Sequence, residues 1–393
     1  MERNSIVEKE LRVGVIGLGI GKFHLKGWLG LASQGVKLAA VADLDATKMQ
    51  VVSEAFSEAG LPTPAVEGFF YPDYRPMLAE AKLDAVSIAV PNFLHEAVAI
   101  AAFDAGCHVL LEKPLAHDLE SGKRIVQAWK KSGKLGMAQL NNNYTPLYAM
   151  VKELVDKGRL GRLQTVKSWW TRRNGIPFWG MWFTNKERSG GGPGIDLMPH
   201  LLGWALGVMD WPDVKWVTAN TSSQTEPESP GYGPYGGGMR NPNGICDVES
   251  RLSMRALLAN NVALDVDVAW AMHTDLERMG FELVGNKGTI KVERVWPIND
   301  GDDAKAIDTM TLYATKTIAG FPVTLNTTVN PDVDPTARDP FMGRTKTQPV
   351  LLQCIREGGT PATDITRLLR IQEIIDAAYR SAAKSGDPVQ AGQ

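Results

Sequence analysis

Asp196 and His200 stand four residues apart in the run SGGGPGIDLMPHLLGW, residues 189–204, with Pro199 directly before the histidine. Imidazole is the side chain whose ordinary titration lies nearest neutrality, so it can take a proton and return it. A carboxylate one helical turn away can support its charged form. The glycines ahead of the pair let the backbone pass close to a ligand and turn into a helix starting around Asp196. Pro199 then falls in the first turn, where the amide it lacks would have no intrahelical partner. The same residues also fit a hydrogen-bonded core histidine at the head of an apolar helix, and spacing alone does not separate the two.

A second group lies near the start. The run LRVGVI breaks into Gly17, Gly19 and Gly21, with Ile20 between the last two, and FHLKGWLGLAS follows with helical spacing. Backbone N–H groups and a helix N-terminus at such a turn can approach a pyrophosphate, although a Gly-rich turn can also be purely structural. Asp43 ends the next apolar run, KLAAVAD, about 20 residues on, where an acid accepts hydrogen bonds from ribose hydroxyls. A carboxylate there repels a 2′-phosphate, so NAD is expected and NADP disfavoured. Its alternative task is to cap the helix near Asp45, which Asp45 could do itself. In LLEKPLA, residues 110–116, Pro114 stops a strand and leaves Lys113 in the crevice beyond the strand ends, beside the nicotinamide.

These residues need elements to hold them. LDAVSIAV, HEAVAIAAFDAG, HVLLEK, a helix from near Leu119 and GKLGMAQL continue the alternation of short apolar strands with helices. That rhythm predicts a parallel sheet covered on both faces. GRLQTVKSWW then opens a second sheet, NVALDVDVAW alternates as a strand buried on one side, and FELVGNKGTIKVE predicts a hairpin turning at Asn286–Gly288. ITRLLRIQEIIDAAYRSAAKSG predicts a last helix ending at Gly386. Residues 219–247 and 298–348 look like additions to this framework, the latter around a strand at MTLYAT.

The pieces GLGIGKFH, AVADLD, VPNFLHEAVAIAAFDAGCHVLLEKPLA, NNNYTP, SGGGPGIDLMPH, ELVGNKGTIKVE and IIDAAYRSAAKSG occur in one order along the chain. In that order the sequence resembles the Gfo/Idh/MocA oxidoreductases. The resemblance implies an N-terminal Rossmann domain, residues 1–143. It implies a C-terminal α/β domain, residues 144–393, with a large open, mainly antiparallel sheet for substrate binding and oligomerisation; the C-terminal helix could return to the first domain. It implies Gly17 and Gly19 at the pyrophosphate, Asp43 at the ribose, and Pro91, Asn92 and His95 lining the cofactor. Glu112, Lys113 and Asn141 would lie near the nicotinamide, and Asp196 and His200 would form the pair of the substrate domain. Asn143 stands where many members have Arg, and Gly203 where many have Asp, so the substrate class is less constrained than the reaction.

Oxidising a secondary alcohol requires the hydroxyl proton to leave as hydride leaves the carbon. No Cys/His spacing here makes a tetrahedral zinc site, so no metal is expected. His200 is assigned as general base, Lys113 as donor to the reacting oxygen, and Asp196 as the group orienting substrate or imidazole; the Lys and His roles could be exchanged. Trp169, Trp170, Trp179 and Trp182 are dense enough to offer faces for a sugar, and Arg172 and Arg173 offer paired donors, though core packing fits each Trp as well. Arg172 and Trp182 are the substrate contacts chosen. The helical pair Tyr148 and Lys152 satisfies the YxxxK pattern of short-chain dehydrogenases, but the chain lacks their TGxxxGxG turn.

The expected reaction is NAD-dependent oxidation of a ring hydroxyl of a sugar, glycoside or cyclitol. The alternatives are a redox-elimination glycosidase and a nucleotide-sensing regulator. A net charge of −2 with 22% charged residues gives no reason to expect nucleic acid as partner. MERNSIVEKELR is not a targeting peptide, no apolar run approaches a membrane span, and three scattered cysteines argue against a disulfide framework. A cytoplasmic homodimer or homotetramer assembled through the C-terminal sheet is expected.

Overall fold

The short apolar runs of the first third form one sheet whose strands all run parallel. The computed structural model describes residues 10–172, 175–223, 241–272, 274, 277–296, 307–318, 321–329 and 343–392. Arg173 and much of the two expected additions, 224–240 and most of 298–342, lie outside the described residues. The described residues fall into two compact units. Met1–Ala116, Glu120–Asn141 and Phe341–Leu369 make the first, and His117–Leu119, Asn142–Pro340 and Arg370–Gln393 the second. Among the described residues no helix is long and apolar enough to cross a membrane.

In the first unit the strands are β1 (Leu11–Ile16), β2 (Val36–Ala42), β3 (Phe70–Tyr71), β4 (Ala85–Ile88), β5 (His108–Leu111) and β6 (Gly136–Ala138). Between them run α1 (Lys22–Leu29), α2 (Met49–Glu58), α3 (Tyr74–Glu80), α4 (His95–Asp104) and α5 (Leu119–Ser132). Every residue of β4 is buried, as a strand covered on both faces requires. The spatial order β3-β2-β1-β4-β5-β6 reverses direction between β1 and β4. That reversal leaves a crevice beyond the carboxyl ends of these two strands, where ligands of such sheets bind. One late segment joins this unit: in α10 (Thr347–Glu357), Thr347 Oγ1 donates to Gln139 Oε1 at 2.5 Å, and a Cβ on Gly27 of α1 would collide with Gln348.

The second unit holds α6 (Pro146–Asp156), β7 (Leu163–Thr171), α7 (Lys186–Ser189), α8 (Pro193–Asp196) and α9 (Met198–Val208). It continues with β8 (Val214–Ser222), β9 (Arg251–Leu258), β10 (Ala263–Ala269), β11 (Glu277–Gly285), β12 (Gly288–Trp296), β13 (Ile307–Ile318) and β14 (Phe321–Val329). A last helix, α11 (Ile365–Ala382), begins in the first unit and ends in the second. The eight strands form one sheet in the order β14-β13-β12-β11-β7-β10-β9-β8, antiparallel except for β7 beside β10. The expected single strand at MTLYAT is the first half of a hairpin, β13 with β14, that extends the sheet edge.

Alternation assigns the two faces of this sheet. Val166, Leu252, Met254, Leu264, Val266 and Leu283 are buried, and Trp204 of α9 stacks on Phe281 with ring centroids 3.9 Å apart. The opposite face carries Lys167, Trp169, Arg255, Asp265 and Asp267 around a groove of about 730 Å³. Its charges pair across strands, Arg255 with Asp265 at 2.7 Å and Arg251 with Asp267 at 3.0 Å.

Candidate active site

The residues expected at the cofactor gather at the carboxyl ends of β1, β2, β4 and β5. Gly17 follows β1 with φ +85°, and a Cβ there would sit 2.4 Å from the Ala89 carbonyl oxygen. Gly21 precedes α1, and its missing Cβ would lie 1.9 Å from the Gly17 oxygen. Both glycines are demanded by the chain's own close approach. A Cβ on Gly19 would meet no atom within 4 Å, and the neighbouring Ile20 is 39% exposed. Packing of the chain itself therefore does not demand a glycine at position 19, unlike positions 17 and 21.

Asp43 leaves β2 with its carboxylate toward this turn. Oδ2 accepts the Leu18 amide at 2.7 Å and Oδ1 the Asp45 amide at 2.9 Å, while Asp45 itself caps the next turn through Thr47. The capping task therefore belongs to Asp45. Each Asp43 oxygen has a further lone pair for a ribose hydroxyl.

Pro91 and Asn92 open a short turn after β4 that leads into α4. His95, expected against the cofactor, is wholly buried, with Nε2 2.9 Å from the Val90 oxygen and Nδ1 2.9 Å from the Pro114 oxygen. Burial holds its pKa below the ordinary value, against the pull of the Val90, Leu115 and Pro114 carbonyls. It ties the loop after β4 to the one after β5 instead of presenting a surface.

Beyond β5, Glu112 is buried, Lys113 is half-exposed, and the Lys113–Pro114 bond is cis. Glu112 Oε1 meets His24 Nε2 at 3.0 Å, and Oε2 accepts the Lys113 amide at 3.1 Å. Burial pushes Glu112 upward, yet His24, Lys113 and Arg344 together hold its pKa below the ordinary carboxylate value. His24 was missed in the sequence, because nothing in GKFHLK signals that the third residue of α1 reaches the end of β5. Asn141 is buried and opens a short turn at the end of the first unit.

In the second unit the expected helix from Asp196 is two helices. The Leu197 amide bonds the Pro193 oxygen, closing α8 at Asp196, and α9 restarts with proline in its first turn. A single helix would drive the Pro199 ring against the carbonyl four residues earlier. His200 instead bonds the Leu197 oxygen at 3.2 Å.

Every other residue of α9 is buried, and His200 is not. Its ring lies against Trp170, centroids 5.6 Å apart.

Asp196 is buried, accepts Trp270 Nε1–H at 3.0 Å and lies 3.6 Å from Arg172 Nη1. Arg172 also reaches Glu277 at 3.8 Å and lies over the Trp170 ring, and burial pushes Glu277 upward. Arg172 is only 5% exposed and lies between these two carboxylates. Trp182 joins the cluster through Phe183, which touches Trp270. Asn143 and Gly203, the two departures, are neighbours: Asn143 Nδ2 donates to the Gly203 oxygen at 2.8 Å. Glu277 and Trp270 escaped the sequence reading because strand alternation marks a face and not which of its residues meet a distant helix.

The YxxxK pair is tied up in contacts within its own unit. Lys152 is held by Asp156 and Asp210, and burial pushes the Tyr148 hydroxyl upward.

Residues 11–140 match the family model described as an oxidoreductase family with an NAD-binding Rossmann fold, and residues 148–291 match the GFO/IDH/MocA C-terminal domain. The D-glucoside 3-dehydrogenase of Escherichia coli K12 is 32% identical over 56% of this chain and 60% of its own length. The levoglucosan dehydrogenase of Pseudarthrobacter phenanthrenivorans is 28% identical over 72% and 73%. A solved levoglucosan dehydrogenase in complex with NADH and levoglucosan shares the fold at a TM-score of 0.77, with 23% identity over 98% of this chain and 100% of that one. With both of its regions matched in order, the chain belongs to the Gfo/Idh/MocA oxidoreductase family.

Proposed function

We propose that this protein is an NAD(H)-dependent dehydrogenase that reversibly oxidises a secondary ring hydroxyl of a sugar, glycoside or cyclitol to a ketone. The observation that carries the reading is His200, the one residue of α9 that is not buried, its ring against Trp170, whose other neighbour Arg172 pairs with the Asp196 carboxylate held by Trp270. The relatives act by name on D-glucosides, levoglucosan and inositol. Among these classes a glycoside oxidised at C3 is the one we favour, on the first relative's name and the aromatic cluster of Trp170, Trp182 and Trp270.

Gly17, Gly19, Ile20 and Gly21 would hold the cofactor's pyrophosphate and Asp43 its ribose, which favours NAD over NADP. Pro91, Asn92, Glu112 and Asn141 would border the nicotinamide. When bound, the nicotinamide accepts or returns the hydride of the substrate carbon. His200 takes the hydroxyl proton as the C–H bond breaks, and Lys113 donates a hydrogen bond to the oxygen as it becomes a carbonyl. Asp196 keeps a fixed negative charge near the imidazole as that ring becomes charged. A second copy of the chain would cover the outer face of the second sheet.

A panel of glucosides, aldoses and inositols assayed for NADH formation, with the copurifying cofactor identified, tests this. NADH formed with glucosides is expected. Inert polyols together with no bound nicotinamide would overturn it, and aglycone release without net NADH would point to elimination.

A further inference from the structure

The glycines before Asp196 are closed in by two side chains that the chemistry above leaves unused. Glu249, 7% exposed just ahead of β9, accepts the Gly192 amide through Oε2 at 3.0 Å. Its Oε1 accepts the Gly194 amide at 3.1 Å and the Tyr379 hydroxyl, from α11, at 2.7 Å. The glycines fit around this carboxylate with no room to spare. A Cβ would lie 2.0 Å from Tyr379 Oη at Gly191, 2.0 Å from the Glu249 carbonyl oxygen at Gly192, and 2.7 Å from Tyr379 Oη at Gly194.

Gly192 and Gly194 carry the amides at the start of α8, which lack helical partners, and the residue between them is Pro193. One four-residue turn cannot hold its own shape in water, so what grips its first amides decides where it points. Its last residue is Asp196, and Leu197, which accepts the His200 amide, follows at once.

We propose that Glu249 and Tyr379 are positioning residues that fix α8, and through it Asp196 and His200, for the proton transfer of the dehydrogenase reading on which this inference rests. Burial pushes the Glu249 pKa above its ordinary value against the pull of its three donors. The Tyr379 hydroxyl and the Gly192 and Gly194 amides therefore offset part of the cost of burying this carboxylate.

Tyr379→Phe removes one hydroxyl and leaves the ring. It is expected to lower kcat by about tenfold while KM and NADH affinity stay at wild-type values, and to lower the unfolding temperature, since a buried carboxylate loses a donor. Glu249→Gln turns one acceptor into a donor facing an amide and is expected to lower kcat by about a hundredfold, with partial recovery in Glu249→Asp. Hydrogen exchange at the amides of Gly194, Asp196 and Leu197 is expected to quicken in Tyr379→Phe.

Wild-type kcat and wild-type exchange in Tyr379→Phe would overturn the proposal, and that variant decides if Glu249→Gln does not fold. Should the wild-type protein oxidise no polyol, the dehydrogenase reading fails on that result. Exchange in Tyr379→Phe then still decides whether the pair holds α8.

Discussion

A methyl group added at Gly17 or Gly21 collides with backbone, whereas one added at Gly19 enters open space on a backbone that is not left-handed. The two kinds of glycine should therefore fail differently. Gly19→Ala is expected to leave the unfolding temperature unchanged and to weaken NADH binding about tenfold, or roughly 1.4 kcal/mol, by fluorescence titration. Unchanged affinity would show that Gly19 does not face the pyrophosphate. At this scale the glycines of the turn after β1 were legible wherever a backbone need fixes the residue type. Asp43 was legible because a strand-end acid has few other tasks once Asp45 takes the cap. His95 was not, since two backbone carbonyls from different loops claim its ring. Glu249 and Tyr379 left no mark either, being 130 residues apart in sequence.

Among the elements, the segment after β5 depends on the buried pair of His24 and Glu112. Because the folded pKa of Glu112 lies below its ordinary value of 4.5, the unfolded chain binds more protons through that range. The stabilisation is present above that value and is lost as pH falls through the folded pKa. Glu112→Gln should flatten this acid limb in pH-dependent denaturant unfolding, and an unaltered limb would contradict the pairing. His24→Ala, which orphans the carboxylate, should cost about 3–5 kcal/mol. The strands of the first sheet were legible because continuous apolar runs between glycines leave little choice. The break between α8 and α9 was not. Proline's tolerance of a first turn was visible, but its clash with the carbonyl four residues back appears only once the helix is built from Pro193. The β13–β14 hairpin was half legible: FPVTLNTTV alternates at Phe321, Val323 and Leu325, but Pro322 within the run argues against a strand interior and fits only an edge strand, which β14 is.

Across the whole molecule, both sheets and their order along the chain were readable from periodicity, because one is covered on two faces and the other on one. The join of α10 to the first unit was not, since its contacts with Gln139 and Gly27 span hundreds of residues. The outer face of the second sheet, with its crossed Arg–Asp pairs, was legible only as the polar half of an alternation. The proposed reaction rests most on one side chain, and its removal is the direct test. His200→Ala should bind NADH as the wild-type protein does and lose about 100- to 10,000-fold in kcat for the best polyol found. Undiminished turnover with cofactor binding intact would contradict the assignment of His200 as the proton acceptor.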